Sequence, residues 1–294
     1  MVLSSDELRV ELYGDVNHQD SNSDIFQELY KRAKQLLKAG NNVIIDATNI
    51  NRKRRIAFIN DFSNYYKEVH YISKSFDDCV EDDLLREKKV GKSVIERMHK
   101  SLTIPTYVEK WDNIKIVKEG LVTIAKPAKN LLDVITQEHS YEELFAHLGI
   151  HPEFRDIKEL PHDSKWHSLS VSRHTYEVWK YILDNYQGKS KTELLFAALL
   201  HDTGKYFCKE FKEGSRYASF ISHEYVSGQL TCDFLFRQGF KTEFILKVVE
   251  LVQLHMRLLS IENNTKAKDK LLNLVGEEML QLLSILREAD VQAH

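Results

Sequence analysis

L-L-F-A-A-L-L-H-D-T-G-K, residues 194–205, decides how the C-terminal half of this chain is read. Seven consecutive apolar residues are too few to cross a bilayer, which takes about 20 in a helix. The run therefore reads as a helix buried in a protein core. It closes on an imidazole, a carboxylate, a glycine and a lysine. Neighbouring helix residues point about 100° apart, so His201 and Asp202 can reach one ion only where the helix ends or distorts. Gly204 supplies that end. Lys205 then places a cation beside the pair, suited to a phosphate oxygen.

Working outward, the same pattern recurs. His174 lies four residues before Val178 and eight before Ile182, on the stripe that faces a core. His255 follows Val248, Leu251 and Val252, and Asp290 follows Leu283 and Leu286 at helical spacing. Four helices thus carry an imidazole or carboxylate on an apolar face. Burying such groups unpaired is costly. A shared metal ion satisfies them together, and helical bundles build metal sites this way. The alternative is a helical domain with scattered core histidines. It must explain five positions (His174, His201, Asp202, His255 and Asp290), together with His223 and Lys205, as coincidence.

Helical periodicity predicts elements near 130–138, 140–148, 168–186, 191–203, 222–238, 242–257 and 268–290, with no strands among them. Before residue 120 the chain alternates instead. Short apolar strands are predicted at 2–3, 43–45, 68–73 and 114–117, and helices at 22–39, 54–66 and 77–102. That order implies a parallel sheet flanked by helices. The expected organisation is an α/β domain over 1–125 and an all-α domain over 130–294, with the change marked by Gly120 and Pro127. The acidic run D-D-C-V-E-D-D at 77–83 suits a helix N-terminus. N-R-K-R-R at 51–55 reads either as a solvated helix face or as a phosphate-contacting turn.

The 294 residues carry 41 Lys+Arg against 44 Asp+Glu, with residues 1–130 at +2 and the remainder at −5. Neither half is a polycation, so nucleic-acid contact must be local. The N-terminus lacks a basic signal-peptide region. Cys79, Cys208 and Cys232 stand far apart without a C-x-x-C, which predicts reduced thiols and a cytoplasmic location.

The strings H-S-L-S-V-S-R-H-T (167–175), H-D-T-G-K (201–205), S-H-E (222–224) and A-D-V-Q-A-H (289–294) resemble the HD superfamily of metal-dependent phosphohydrolases. They are most similar to the HD domains of bacterial tRNA nucleotidyltransferases. The resemblance covers about 130 residues. It implies that His174, His201, Asp202 and Asp290 hold the primary metal, with His223 and His255 serving a second metal or the phosphate. His167 is a lesser candidate ligand. Asp202, Lys205 and His223 would act in catalysis. A ligand set of imidazoles and carboxylates suits Mn, Ni, Co, Fe or Zn, as one or two ions.

The first half resembles the P-loop domain of polynucleotide 5′-hydroxyl kinases, through S-S-D-E-L-R (4–9), N-V-I-I-D-A-T-N (42–49) and L-R-E-K-K-V-G-K (85–92). By that resemblance Asp6 is the general base, Arg9 contacts the acceptor phosphate, Asp46 serves the nucleotide site, and Arg86 is a lid arginine. No G-x-x-x-x-G-K-[ST] loop occurs in the sequence. The chain is therefore expected to lack the first β-α unit, about 30 residues. ATP and Mg would then bind only if that loop were restored, and little kinase activity is expected. Together the halves predict hydrolysis of nucleotide or RNA-end phosphoesters, as 2′,3′-cyclic phosphates or terminal monoesters, with no membrane partner. Two alternatives are a 5′-hydroxyl kinase whose HD half is accessory, and a nucleic-acid-binding module that delivers ends to the HD site.

Overall fold

The computed structural model describes residues 1–16, 18, 22–118, 129–165 and 168–293. Gly120, Pro127, His167 and His294 lie outside the described residues. The chain divides into two compact units, Met1–Asn49 and Ile50–His294.

In the first unit β1 (Val2–Ser4) runs into α1 (Ser5–Tyr13), followed by α2 (Asn22–Lys38) and β2 (Ile44–Asp46). The strands pair in parallel, with Ser4 opposite Asp46. Ser4 caps α1 by accepting from the Asp6 amide. Leu8, Ile25 and Leu29 form the small core, against which Leu3, Tyr30 and Ile45 pack.

The second unit opens with α3 (Arg52–Asp61), β3 (Glu68–Ser73), α4 (Phe76–Leu85), α5 (Lys92–Ser101) and β4 (Asn113–Lys118). β3 and β4 pair in parallel over six residues. The strands are parallel as the alternation predicts, but they form two separate two-stranded ladders rather than one sheet. Among the described residues no further strand pairs with either ladder. The acidic run does open a helix: Ser75 caps α4, and Asp77 and Asp78 sit in its first turn.

The helical part follows as α6 (Lys129–Thr136), α7 (Tyr141–Leu148), α8 (Pro152–Arg155), α9 (Val171–Asn185) and α10 (Lys191–Leu200). After α11 (Lys205–Cys208) comes a ribbon of β5 (Glu210–Phe211) and β6 (Ala218–Ser219), then α12 (His223–Arg237), α13 (Thr242–Leu254), α14 (Arg257–Ser260) and α15 (Thr265–Gln292). The β5–β6 ribbon corrects the expectation of a strand-free half. Two-residue strands carry no readable alternation. α15 breaks at Gly276, whose φ of 79° is left-handed. One continuous core joins Ile59, Tyr71, Trp111 and Ile114 to Val178, Leu199, Val252 and Leu286. The β3–β4 segment therefore packs as part of the helical unit.

N-R-K-R-R is not a wholly solvated face, because Arg52 and Arg55 turn inward while Lys53 and Arg54 stay exposed. Arg55 donates to Glu109 at 2.8 and 2.6 Å, and Arg52 bridges Glu109 (3.2 Å) and Glu250 of α13 (2.9 and 2.7 Å). Both carboxylates are buried. Two of the four cations are thus committed to holding α3 against the helical core.

His99 of α5 lies 5.6 Å from the Phe76 ring and 5.0 Å from Phe207 of α11. Burial pushes its imidazole down from 6.5 to about 4. The unfolded chain then binds a proton that the folded one refuses between those two values. Stability is complete above the upper value and falls as pH drops through the window, by at most about 3 kcal/mol. His99→Gln is expected to flatten this acid slope. Urea midpoints of variant and wild type at about pH 7.5 and pH 4.5 measure it, and parallel slopes would refute it.

Candidate metal centre

α10 ends at Leu200, and His201–Gly204 form a tight turn before α11. The helix stops three residues before the predicted 203, and Gly204 is needed for another reason. Gly204 has φ −70°, a right-handed value. Its special need is space: a Cβ there would meet the His223 carbonyl at 2.5 Å and the Ser227 amide at 2.6 Å. The absence of a side chain lets the H-D-T-G-K turn lie directly on the start of α12. The Gly204 amide donates to Ser227 Oγ at 2.8 Å.

His201 and Asp202 are each 1% exposed. Around them gather His174 from α9, His223 from the start of α12, His255 from the end of α13 and Asp290 from α15. The ligand atoms fall into two groups, His174–His201–Asp290 and Asp202–His223–His255, each spanning no more than 4.8 Å. Asp202 serves both. Its Oδ2 faces His201 Nε2 at 3.3 Å and His174 Nε2 at 3.8 Å, while Oδ1 faces His223 Nε2 at 3.2 Å and His255 Nε2 at 3.9 Å. Asp290 Oδ1 lies 2.9 Å from His174 Nε2 and 3.7 Å from His201 Nε2.

The imidazoles are all oriented in one way. Nδ1 of His174, His201 and His223 lies 2.8 Å from the carbonyls of Ala293, Ala198 and Phe220, and Nδ1 of His255 lies 2.7 Å from that of Val252. A carbonyl can only accept, so each Nδ1 carries the proton. Each ring then turns its Nε2 toward Asp202. Anchoring of this kind fixes the tautomer of metal-binding histidines.

His223 Nε2 and His255 Nε2 are 3.1 Å apart. Two lone pairs that close repel unless a proton or a cation lies between them. His201 Nε2 is buried and makes no hydrogen bond. Both observations fit a divalent cation, and the imidazole and carboxylate donors suit a transition metal.

Electrostatics agree. Burial opposes ionisation of Asp202, but His201 and Lys205 outweigh it and hold the carboxyl well below its usual range. Burial likewise opposes ionisation of Asp290, and His174 and His201 reverse it. Burial pushes His255 down to about 3, helped by the neighbouring histidines, so it stays a neutral ligand.

Lys205 Nζ donates to Asp202 Oδ2 at 2.6 Å and approaches His162 Nε2 at 3.0 Å. Sequence reasoning missed His162. It is 2% exposed, its Nδ1 is held by the Leu169 carbonyl, and its Nε2 is 3.9 Å from Asp202. It lies in a loop, where no periodicity marks a buried position.

In the first unit Asp6 and Arg9 form the ion pair that their one-turn spacing implies, and Arg9 also donates to Asn22 at 2.9 Å. The register of β1 and β2 sets Asp46 at the same strand ends as Ser4, just before this turn. Arg86 caps α4 and is exposed. It follows Asp83, whose carboxylate accepts from the Val90 and Gly91 amides at 2.9 Å each.

Residues 167–293 match the HD domain family. The helical half carries an HD domain. Residues 1–105 match an AAA domain, a P-loop kinase-like family. The chain thus fuses a kinase-like α/β region to a helical HD region, and the HD class supports metal-dependent hydrolysis. No curated protein matches the chain at a significant level. Among the described residues no helix is long and apolar enough to cross a membrane.

Proposed function

We propose that this protein hydrolyses phosphoesters of nucleotides or RNA ends, as a 2′,3′-cyclic phosphodiesterase or a terminal phosphatase. The observation that carries the reading is Asp202, whose two oxygens each face a separate pair of anchored imidazoles. That arrangement suits one carboxylate shared by two ions, with His174, His201 and Asp290 on one side and His223 and His255 on the other. Divalent metal bound here supplies a water of lowered pKa and polarises the phosphoryl oxygen.

The chain's own residues do the rest. Asp202 stays ionised and holds Lys205 at 2.6 Å. Lys205 offers the cation that meets charge developing on the phosphate. His162 accepts from Lys205 and keeps that ammonium aimed at the site. His223 sits where the turn meets α12, next to the reacting centre. Buried walls around Asp202 strengthen each of these interactions by excluding water.

The end-processing part of the reading rests on the neighbouring region. Its AAA match and the Asp6–Arg9–Asp46 grouping at the strand ends suit recognition of a nucleic-acid end. Kinase activity is expected to be negligible, because the sequence has no phosphate-cradling loop.

The deciding assay supplies Mn, Ni, Co or Mg with 2′,3′-cyclic nucleotides, 2′- and 3′-monophosphates and an aryl phosphate. Turnover with a transition metal and a preference for a nucleotide substrate are expected. A folded, metal-loaded protein that turns over none of them would sink the proposal.

A further inference from the structure

The segment between Lys205 and His223 belongs to the site at both ends, yet the chemistry uses none of its middle. It carries four cations (Lys205, Lys209, Lys212, Arg216) against two carboxylates (Glu210, Glu213), in a chain of net charge −3. It also exposes three large rings: Tyr206 is 58% exposed, Phe211 55% and Tyr217 37%. Exposed aromatics interleaved with cations are the composition of a single-strand nucleic-acid platform, where rings stack on bases and cations follow the backbone.

The ribbon's orientation narrows this further. Phe211 pairs with Ala218 and Glu210 with Ser219. Lys209 lies on the Phe211 side, with Nζ 5.8 Å from the ring centroid. The same ammonium binds the Pro161 carbonyl at 2.5 Å and Asp163 at 2.7 Å, and the Ala218 amide donates to the Asp163 carbonyl at 2.9 Å. Residues 161–163 therefore tie the ribbon to the loop that brings His162 to Lys205. Glu210, which alternates to the other face, pairs with Lys100 of α5. Phe211 is thus an exposed ring on the face tied to the site's own loop. Arg216, beyond it in the turn, stacks on Tyr217 at 4.8 Å.

We propose that the Lys205–Ile221 segment is a lip that holds a single-stranded nucleic-acid end at the HD site, with Phe211 stacking on an unpaired base near the scissile phosphate and Lys212 and Arg216 meeting backbone phosphates. The proposal rests on the phosphoesterase reading for the identity of the scissile group. It requires unpaired bases, since the rings of a duplex are already stacked on each other.

Fluorescence anisotropy with a short single-stranded RNA tests it, and its readout does not depend on hydrolysis. Phe211→Ala is expected to weaken binding about tenfold, in line with one lost base stack. Lys212→Glu with Arg216→Glu is expected to reduce the salt slope of binding by about 1.4, from two lost phosphate contacts. Tyr66→Ala removes an exposed ring outside the segment and should leave affinity within about twofold of wild type. A blunt duplex should bind more weakly than the single strand. In turnover, Phe211→Ala should lower kcat/KM more for the RNA than for an aryl phosphate. No measurable RNA binding by wild type, or unaltered binding by both ribbon variants, overturns the lip. RNA held through the ribbon by a protein that hydrolyses no phosphoester would uphold the lip and remove the phosphoesterase reading.

Discussion

Asp202→Ala is expected to abolish phosphoester hydrolysis, by about 10³-fold or more, and to release metal from the protein. The magnitude follows from the position. Loss of a group that stabilises charge in a buried site costs several kcal/mol of transition-state stabilisation, and about 4 kcal/mol corresponds to 10³-fold in rate. Asp202 is within 4 Å of five imidazoles and holds Lys205 as well. Its removal leaves two groups of imidazoles without the carboxylate they face and Lys205 without its anchor. Metal analysis after gel filtration, beside circular dichroism to confirm folding, separates loss of metal from loss of structure. Asp202→Asn keeps the shape and removes only the charge, so it should lose nearly as much. A folded Asp202→Ala protein with full metal content and activity within about tenfold of wild type would contradict the assignment.

The second large effect is on stability. Glu109→Ala is expected to destabilise the protein by about 3–5 kcal/mol, because it removes the carboxylate of a buried ion pair. Glu109 is 2% exposed and accepts from Arg55, Arg52 and the Trp111 indole, while Arg55 is 3% exposed. Arg52 retains Glu250, and Arg55 also donates to the Thr103 hydroxyl at 3.1 Å. Replacing both members, as Arg55→Met with Glu109→Leu, should cost far less than Glu109→Ala alone, since no charge is then left unpaired. Thermal melts of Glu109→Ala and the double variant beside wild type form the test. A Glu109→Ala melt close to wild type would mean that the buried network contributes little.

Much of this was readable beforehand because it depends on local rules. Helix period placed His174, His255 and Asp290 on apolar faces, and those faces are buried. The order of strands and helices before residue 120 predicted parallel pairing, which both ladders show. The parts that were not readable depend on where loops and side chains settle. His162 arrives from a loop forty-odd residues before Lys205 and touches it. Arg52 and Arg55 look like surface cations in sequence, and only their buried partners Glu109 and Glu250 show otherwise. The ribbon of Phe211 and Ala218 is too short for alternation to announce it.

The H-D-T-G-K turn shows the division most sharply. By itself the sequence determined that an apolar helix ends on an imidazole and a carboxylate, with a glycine and a lysine behind, because apolar run length and helix geometry are local properties. Only the tertiary structure decided that Gly204 is there for the contact with α12, that Asp202 divides its oxygens between two groups of histidines, and that backbone carbonyls hold every imidazole with Nε2 toward it. Those facts depend on distances between helices far apart in the chain, which packing sets.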